Sequence, residues 1–163
     1  MTDIKVLLVD DHPVVRAGMD GILSAHDGFD VVGEAENGKD AVRLADELCP
    51  DVILMDLRMP GGDGVTAIKE ITAKKGAPHI LVLTTFDSDR DIVRAIEAGA
   101  TGYLLKDTPR DELFRAIRAV AKGESVLAPA VAARLMGRMR APAEEKLSGR
   151  EIEVLELVSK RNL

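Results

Sequence analysis

Five short apolar runs recur along the chain: residues 4–10 (IKVLLVD), 30–35 (DVVGEA), 51–56 (DVILMD), 79–85 (HILVLTT) and 102–106 (GYLLK). Within VLLV, VILM and ILVL successive positions are apolar, the pattern of strands covered on both faces. Between the runs, apolar residues recur at helical spacing. Residues 13–23 place Val14, Val15, Met19, Ile22 and Leu23 on one stripe, with Pro13 suited to a first helical turn. Asn37 reads as an N-cap for Ala41, Leu44, Ala45 and Leu48, before Pro50 ends the helix. Asp63 reads as the cap of a helix carrying Val65, Ile68 and Ile71. Residues 89–98 carry Ile92, Val93 and Ile96, with Gly99 as the C′ residue; residues 109–122 carry Leu113, Phe114, Ile117, Val120 and Ala121. This alternation predicts an α/β domain, a parallel sheet between helix layers joined by right-handed crossovers.

The pattern changes after Lys122. A helix is predicted over about 129–140, with Val131, Leu135 and Met139 four apart; it either packs on the domain or pairs with its own copy. APAEEK (141–146) reads as a linker. In LSGREIEVLELVSKRNL, Ser148 and Glu151 form a capping box ahead of Ile152, Leu155 and Val158. One short helix cannot bury its apolar face alone, so a second small domain is expected to begin here. The expected organisation is a domain at 1–123, a linker at 124–146 and a further segment at 147–163.

Composition adds limits. Among 163 residues 46% are hydrophobic and 31% charged, as in soluble globular proteins, but only 2% are aromatic, so the core is expected to be aliphatic. No apolar run approaches the ~18 residues of a membrane span, and the start lacks a signal peptide's features. The single Cys49 excludes an internal disulfide and suits a reducing cytoplasm. Residues 1–123 carry a net charge of −7 and residues 124–163 of +1, giving the overall −6. Bulk charge therefore speaks against nucleic-acid binding by the first domain.

Chemistry concentrates at the strand ends. The first run ends on Asp10 and Asp11, the third on Asp56, the fourth on Thr84 and Thr85, and the fifth on Lys106. Open parallel sheets bind ligands outside the carboxyl ends of their strands. In the flavodoxin-like order 2-1-3-4-5, Asp56 faces Asp10 and Asp11 on one side and Thr84 on the other, with Lys106 one strand further out. Taken singly, each aspartate reads more often as a turn or helix cap than as a functional group. Together, three carboxylates need a compensating cation, and hard oxygen ligands favour Mg²⁺ (or Mn²⁺). An ion of this kind can bridge to a phosphoryl group, and carboxylates form aspartyl-phosphates. The histidines read as structural or solvated: His12 has no second soft ligand, and His26 and His79 stand near turn or strand starts.

LLVDDHP, ILMDLRMPGGDG, VLTTF and GYLLKD, in this order and spacing, closely resemble the receiver domains of two-component response regulators, over residues 4–122. The resemblance implies that Asp56 is the phosphoacceptor. It implies direct Mg²⁺ ligation by Asp11, Asp56 and the backbone carbonyl of Arg58, with Asp10 acting through water. Thr84 would bond the phosphoryl group, Lys106 would pair with it, Tyr103 would be the switch aromatic, and Thr85 would leave room for the donor or water. Pro60 and the glycines around it would form a stiff, close-approaching loop. GYLLKD and LSGREIEVLELVSK are also similar to the NarL/FixJ family, whose outputs are LuxR-type helix-turn-helix domains. Gly149 stands where that family often has proline, and Arg161-Asn162 replaces its usual Gly-Leu. On this resemblance 147–163 is the first part of such a domain, without the recognition helix. The implied partners are a sensor histidine kinase, a second copy of the chain, and promoter DNA through the rest of the output domain, but no membrane.

Two other functional classes compete. A Mg²⁺-dependent phosphohydrolase with an aspartate nucleophile would place two aspartates two apart after the first strand; here they are adjacent and the acceptor lies on the third. A phosphorylation-independent interaction module would usually have lost an acidic, Thr or Lys position, and none is lost. Neither GxGxxG nor GxxxxGK[ST] follows the first strand, which speaks against nucleotide binding.

Overall fold

The computed structural model describes residues 3–57, 59, 64–84, 89–127, 129 and 131–133. Strands β1 (Ile4–Val9), β2 (Phe29–Ala35), β3 (Val52–Asp56), β4 (His79–Thr84), β5 (Gly102–Leu105) and β6 (Val126–Leu127) alternate with helices α1 (Pro13–Ser24), α2 (Gly38–Leu48), α3 (Gly64–Thr72), α4 (Asp89–Ala98) and α5 (Arg110–Ala121). All strand pairs are parallel, in the order β2-β1-β3-β4-β5-β6.

The continuous apolar runs are explained by two cores, one on each face of the sheet. Alternate residues divide between them: Leu7, Val9, Ile53, Met55, Ile80 and Val82 point to the core that includes Ala41, Ala45, Val65, Ile68, Val93 and Ile96 of α2, α3 and α4. Val6, Leu8, Val52, Leu54, Leu81 and Leu83 point to the core shared with Leu23 of α1 and Leu113, Phe114, Ile117 and Val120 of α5. A strand buried on both sides has no polar face, so its one abrupt change of character falls at its end.

Helix boundaries follow from local chemistry. Asn37 accepts a hydrogen bond from the Asp40 amide at 2.8 Å, capping α2 as its position suggests. Gly99, at φ +108°, closes α4 through bonds from the Gly99 amide to the Ile96 carbonyl and from the Ala100 amide to the Ala95 carbonyl. α2 instead ends on Cys49, exposed and at φ 47°, an unusual conformation for a residue with a side chain. The expected cap Asp63 lies outside the described residues.

Two expectations need correction. Met19, Ile22 and Leu23 of the stripe read across α1 pack on the core as expected, but Val14 is 85% and Val15 41% exposed, so the stripe does not extend to the first turn. α1 meets the sheet over β1 and β2. The sheet also has six strands rather than five. After α5 the chain reverses at Gly123 (φ +82°), and Val126 and Leu127 pair with Gly102 and Tyr103. Two residues of moderate apolarity are too short to register as a strand in the sequence pattern. Beyond them, 129 and 131–133 are helical and Val131 is buried within the same chain, which favours packing on the domain for this part of the predicted 129–140 helix. The remainder of that helix, the 141–146 linker and 147–163 lie outside the described residues.

Candidate functional site

Register brings the acidic residues together. Val9 pairs with Met55, so Asp10 and Asp56 leave neighbouring strands side by side. Thr84 pairs through its backbone with Leu105, the residue before Lys106. Asp10 and Asp56 are 8% and 5% exposed, the only buried charged residues among those described. Lys106 reaches over from β5, its Nζ lying 3.1 Å from Asp56 Oδ2 and 3.4 Å from Asp10 Oδ2. Burial alone would lower the Lys106 pKa, but hydrogen bonding to Asp56 and the charges of Asp56 and Asp10 reverse this and raise it.

His12 takes part in the cluster, a role its position in the sequence did not indicate. Its Nδ1 lies 2.8 Å from Asp10 Oδ1 and 3.0 Å from Asp11 Oδ1, and the His12 amide donates to Asp10 Oδ1 at 2.9 Å. The Asp10 hydrogen bond, then the charges of Asp11 and Asp10, raise the His12 pKa. Burial opposes ionisation of Asp10, yet the bonds from His12 and the charge of Lys106 hold its pKa below the usual value. Arg16 was likewise missed: its Nη1 donates to the Asp10 carbonyl, and its Nε lies 3.4 Å from Glu34 Oε1. A single arginine in an amphipathic helix carries no readable sign of a partner six residues back.

A carboxyl held more acidic in the fold than in the unfolded chain stabilises the fold above its unfolded pKa; that contribution disappears as pH falls through the folded value. Asp10→Asn is therefore expected to flatten the acid side of the stability profile below about pH 4. Urea unfolding between pH 3 and 5 reads this; an unchanged acid limb would mean that Asp10 contributes nothing there.

The donor set fits a hard divalent cation. One donor atom from each of Asp10, Asp11, His12 and Asp56 lies within 4.8 Å of all the others. Asp11 Oδ1 is buried and accepts no hydrogen bond, despite the nearby imidazole. A buried carboxylate oxygen in that condition is costly unless something positive meets it. The described part of the site thus contains Asp10, Asp11, Asp56 and Lys106, with Thr84 located by its backbone. Arg58 and Thr85 lie outside the described residues.

Tyr103 stands apart from the carboxylates. It lies three residues before Lys106 on β5, is 1% exposed, and donates from its hydroxyl to the Ala100 carbonyl at 2.9 Å. Among the described residues no helix is long and apolar enough to cross a membrane.

Comparisons with known proteins bear on the family and the fold. The response regulator receiver domain family matches residues 6–118. The transcriptional regulatory protein LiaR of Bacillus subtilis is 47% identical over 161 residues, covering 96% of this chain and 76% of its own length. The crystal structure of ChrA, described as the response regulator of a heme-sensing two-component system, is 43% identical, with a TM-score of 0.74 over 99% of this chain and 77% of that one. RcsB, solved as two dimers bound to two parallel DNAs, is 30% identical, with a TM-score of 0.75 over 98% of this chain and 78% of that one. The fold, the matched domain and these relatives together establish that the chain belongs to the response regulator receiver domain family, among the LuxR-type transcriptional response regulators of two-component systems.

Proposed function

We propose that the chain is switched by transfer of a phosphoryl group from a sensor kinase's phosphohistidine to Asp56. The observation that carries this reading is the convergence of buried Asp56 with Asp10, Asp11 and Lys106 at one sheet edge. A carboxylate oxygen of Asp56 attacks phosphorus in line; the bond to the donor nitrogen breaks, and its electron pair leaves with the imidazole. Asp11, Asp56 and the Arg58 carbonyl would hold Mg²⁺ directly and Asp10 through water, the ion supplying charge neutralisation during transfer. Lys106, already bonded to Asp56 in the unmodified chain, follows the developing charge onto the phosphoryl oxygens. The Thr84 hydroxyl would bond one of them, and Thr85 would leave the donor room.

The chain serves as the kinase's substrate rather than as an enzyme, with slow self-dephosphorylation at most. Residues 1–123 act as the receiver, 124–146 as the link, and 147–163 as the start of a DNA-binding output. The dimeric, DNA-bound state of RcsB supports dimerisation and DNA binding as the outcome of switching. Adjacent Asp10 and Asp11, with the acceptor on β3, remain unlike a phosphohydrolase's arrangement.

Incubation with Mg²⁺ and a small phosphodonor, followed by intact mass measurement, tests the reading. One added phosphoryl group is expected, not formed when the metal is chelated beforehand and formed more slowly in Asp11→Ala. Multiple turnover of phosphate esters without a stoichiometric adduct would favour the hydrolase instead.

A further inference from the structure

The end of strand β2 is aimed by a slip in its register. Val6 of β1 pairs with Val31, but the next residue, Leu7, pairs with Gly33, so the ladder skips Val32. Side chains alternate between the two faces of a strand, and one extra residue reverses every side chain beyond it. Phe29 and Val31 lie on the face of α1 and α5. Beyond the slip Glu34 lies on that face too, opposite Leu8, while Ala35 lies on the other. Regular alternation would put Glu34 on the far face. The slip is made at a glycine with little room beside it, since a Cβ on Gly33 would stand 2.6 Å from Leu48 Cδ1.

On the α1 face Glu34 meets Arg16. The Arg16 side chain is only 16% exposed, and a charge so enclosed needs a counter-charge. Its Nε is buried, with Glu34 Oε1 at 3.4 Å as an ion-pair partner outside hydrogen-bond geometry, and its Nη1 donates to the Asp10 carbonyl. The Asp10 amide in turn donates to the carbonyl of Ala35, the neighbour of Glu34, at 3.1 Å. Both main-chain groups of Asp10 are thus tied to the end of β2, one directly and one through Arg16. Arg16 also lines a cavity of about 20 Å³ together with Asp10 and Asp56.

We infer that Glu34, outside the acidic cluster, is a positioning residue for it: through Arg16 it fixes the Asp10–Asp11 backbone in the geometry that receives a divalent cation. Loss of the Glu34 charge leaves the guanidinium held by the Asp10 carbonyl alone, so the carboxylates lose their fixed spacing before the ion arrives. Partners one layer behind the ligands of a metal set its affinity as well as the orientation of those ligands. The inference rests on the function proposed above for its metal; the aim of Glu34 at Arg16 does not.

In the full chain, calorimetric titration with Mg²⁺ alone should show Glu34→Gln binding about fivefold more weakly than wild type, with denaturant stability little changed. Glu36→Gln removes another exposed carboxylate just past β2 and controls for bulk charge; its affinity should stay within about twofold of wild type. In an Arg16→Met background (Arg16→Gln if that variant does not fold), Glu34→Gln should have no further effect, because its action passes through Arg16. Phosphoryl adduct formation in Glu34→Gln should lag at low Mg²⁺ and recover at saturating Mg²⁺, which a loss of folded structure would not do. Wild-type affinity in Glu34→Gln overturns the inference. So does equal weakening by Glu34→Gln and Glu36→Gln, or a full effect of Glu34→Gln without Arg16. If the wild-type chain takes up no Mg²⁺, the inference and the function proposed above fall together, whereas Mg²⁺ binding that ignores Glu34 removes the inference alone.

Discussion

Asp56→Ala should abolish the phosphoryl adduct completely, while the chain stays folded. The reason lies in how differently the three carboxylates are engaged. Asp10 is bonded by the amide and ring of His12 and by Lys106, and Arg16 secures its carbonyl, so reorienting it toward an incoming phosphorus would break several bonds at once. Asp11 lies in the loop after β1 beside His12, whereas Asp56 ends the central strand between β1 and β4. Asp56→Asn, of the same shape, separates chemistry from structure. It removes one of three crowded negative charges and leaves Lys106 paired with Asp10, so metal-free stability should hold or rise slightly. Mg²⁺ affinity should fall at least about tenfold, as loss of an anionic ligand implies. Intact mass, denaturant unfolding and Mg²⁺ titration read the three quantities. An adduct that survives Asp56→Ala would mean another acceptor, and a large stability loss in Asp56→Asn would mark Asp56 as a structural residue.

The second large effect is expected at Gly64, the first residue of α3. A Cβ at this position would stand 2.9 Å from the Leu57 Cα and 3.0 Å from the carbonyl oxygens of both Asp56 and Leu57. These are backbone atoms of and next to the proposed acceptor, and they cannot move aside as a side-chain tip can. Gly64→Ala should therefore cost about 2–3 kcal/mol, in the range of overpacked cores, and lower Tm by about 10 °C. Any folded population should also phosphorylate more slowly, because the displaced backbone carries Asp56 out of register with Asp10 and Lys106. Gly18→Ala provides the control. Nothing lies within 4 Å of its added Cβ, and it sits on the exposed side of α1, so it should be neutral or stabilise by up to about 1 kcal/mol. Equal melting temperatures for the two variants would remove the close-approach argument.

Much of this molecule was legible because strands buried on both faces leave an unmistakable pattern. VLLV, VILM and ILVL could be ordered as alternating strands, and the polar residues closing them then fell at one edge. Asn37 and Gly99 were readable as helix ends because their side chain, or lack of one, has a local purpose. Val14 and Val15 misled for an equally physical reason: spacing assigns a stripe, but only tertiary geometry decides how much of it is covered, here Met19, Ile22 and Leu23. His12 and Arg16 were illegible as members of the cluster because both act through specific contacts that no period encodes. β6 was missed since a two-residue strand has no period at all. Of the glycines in RMPGGDG, Gly64 is the one whose close approach is now located, against the backbone of Asp56 and Leu57.

The strand order has a consequence for how the chain is made. Asp10 and Asp56 become neighbours once β1 and β3 pair, whereas Lys106 arrives on a strand that pairs later, with β4 already in place. Domains fold as synthesis proceeds from the N-terminus. A nascent chain that has joined β1 to β3 thus holds two buried-to-be carboxylates together, although the lysine that bridges them lies 50 residues beyond Asp56. For that interval the two carboxylates must stay hydrated or meet a cation from solution.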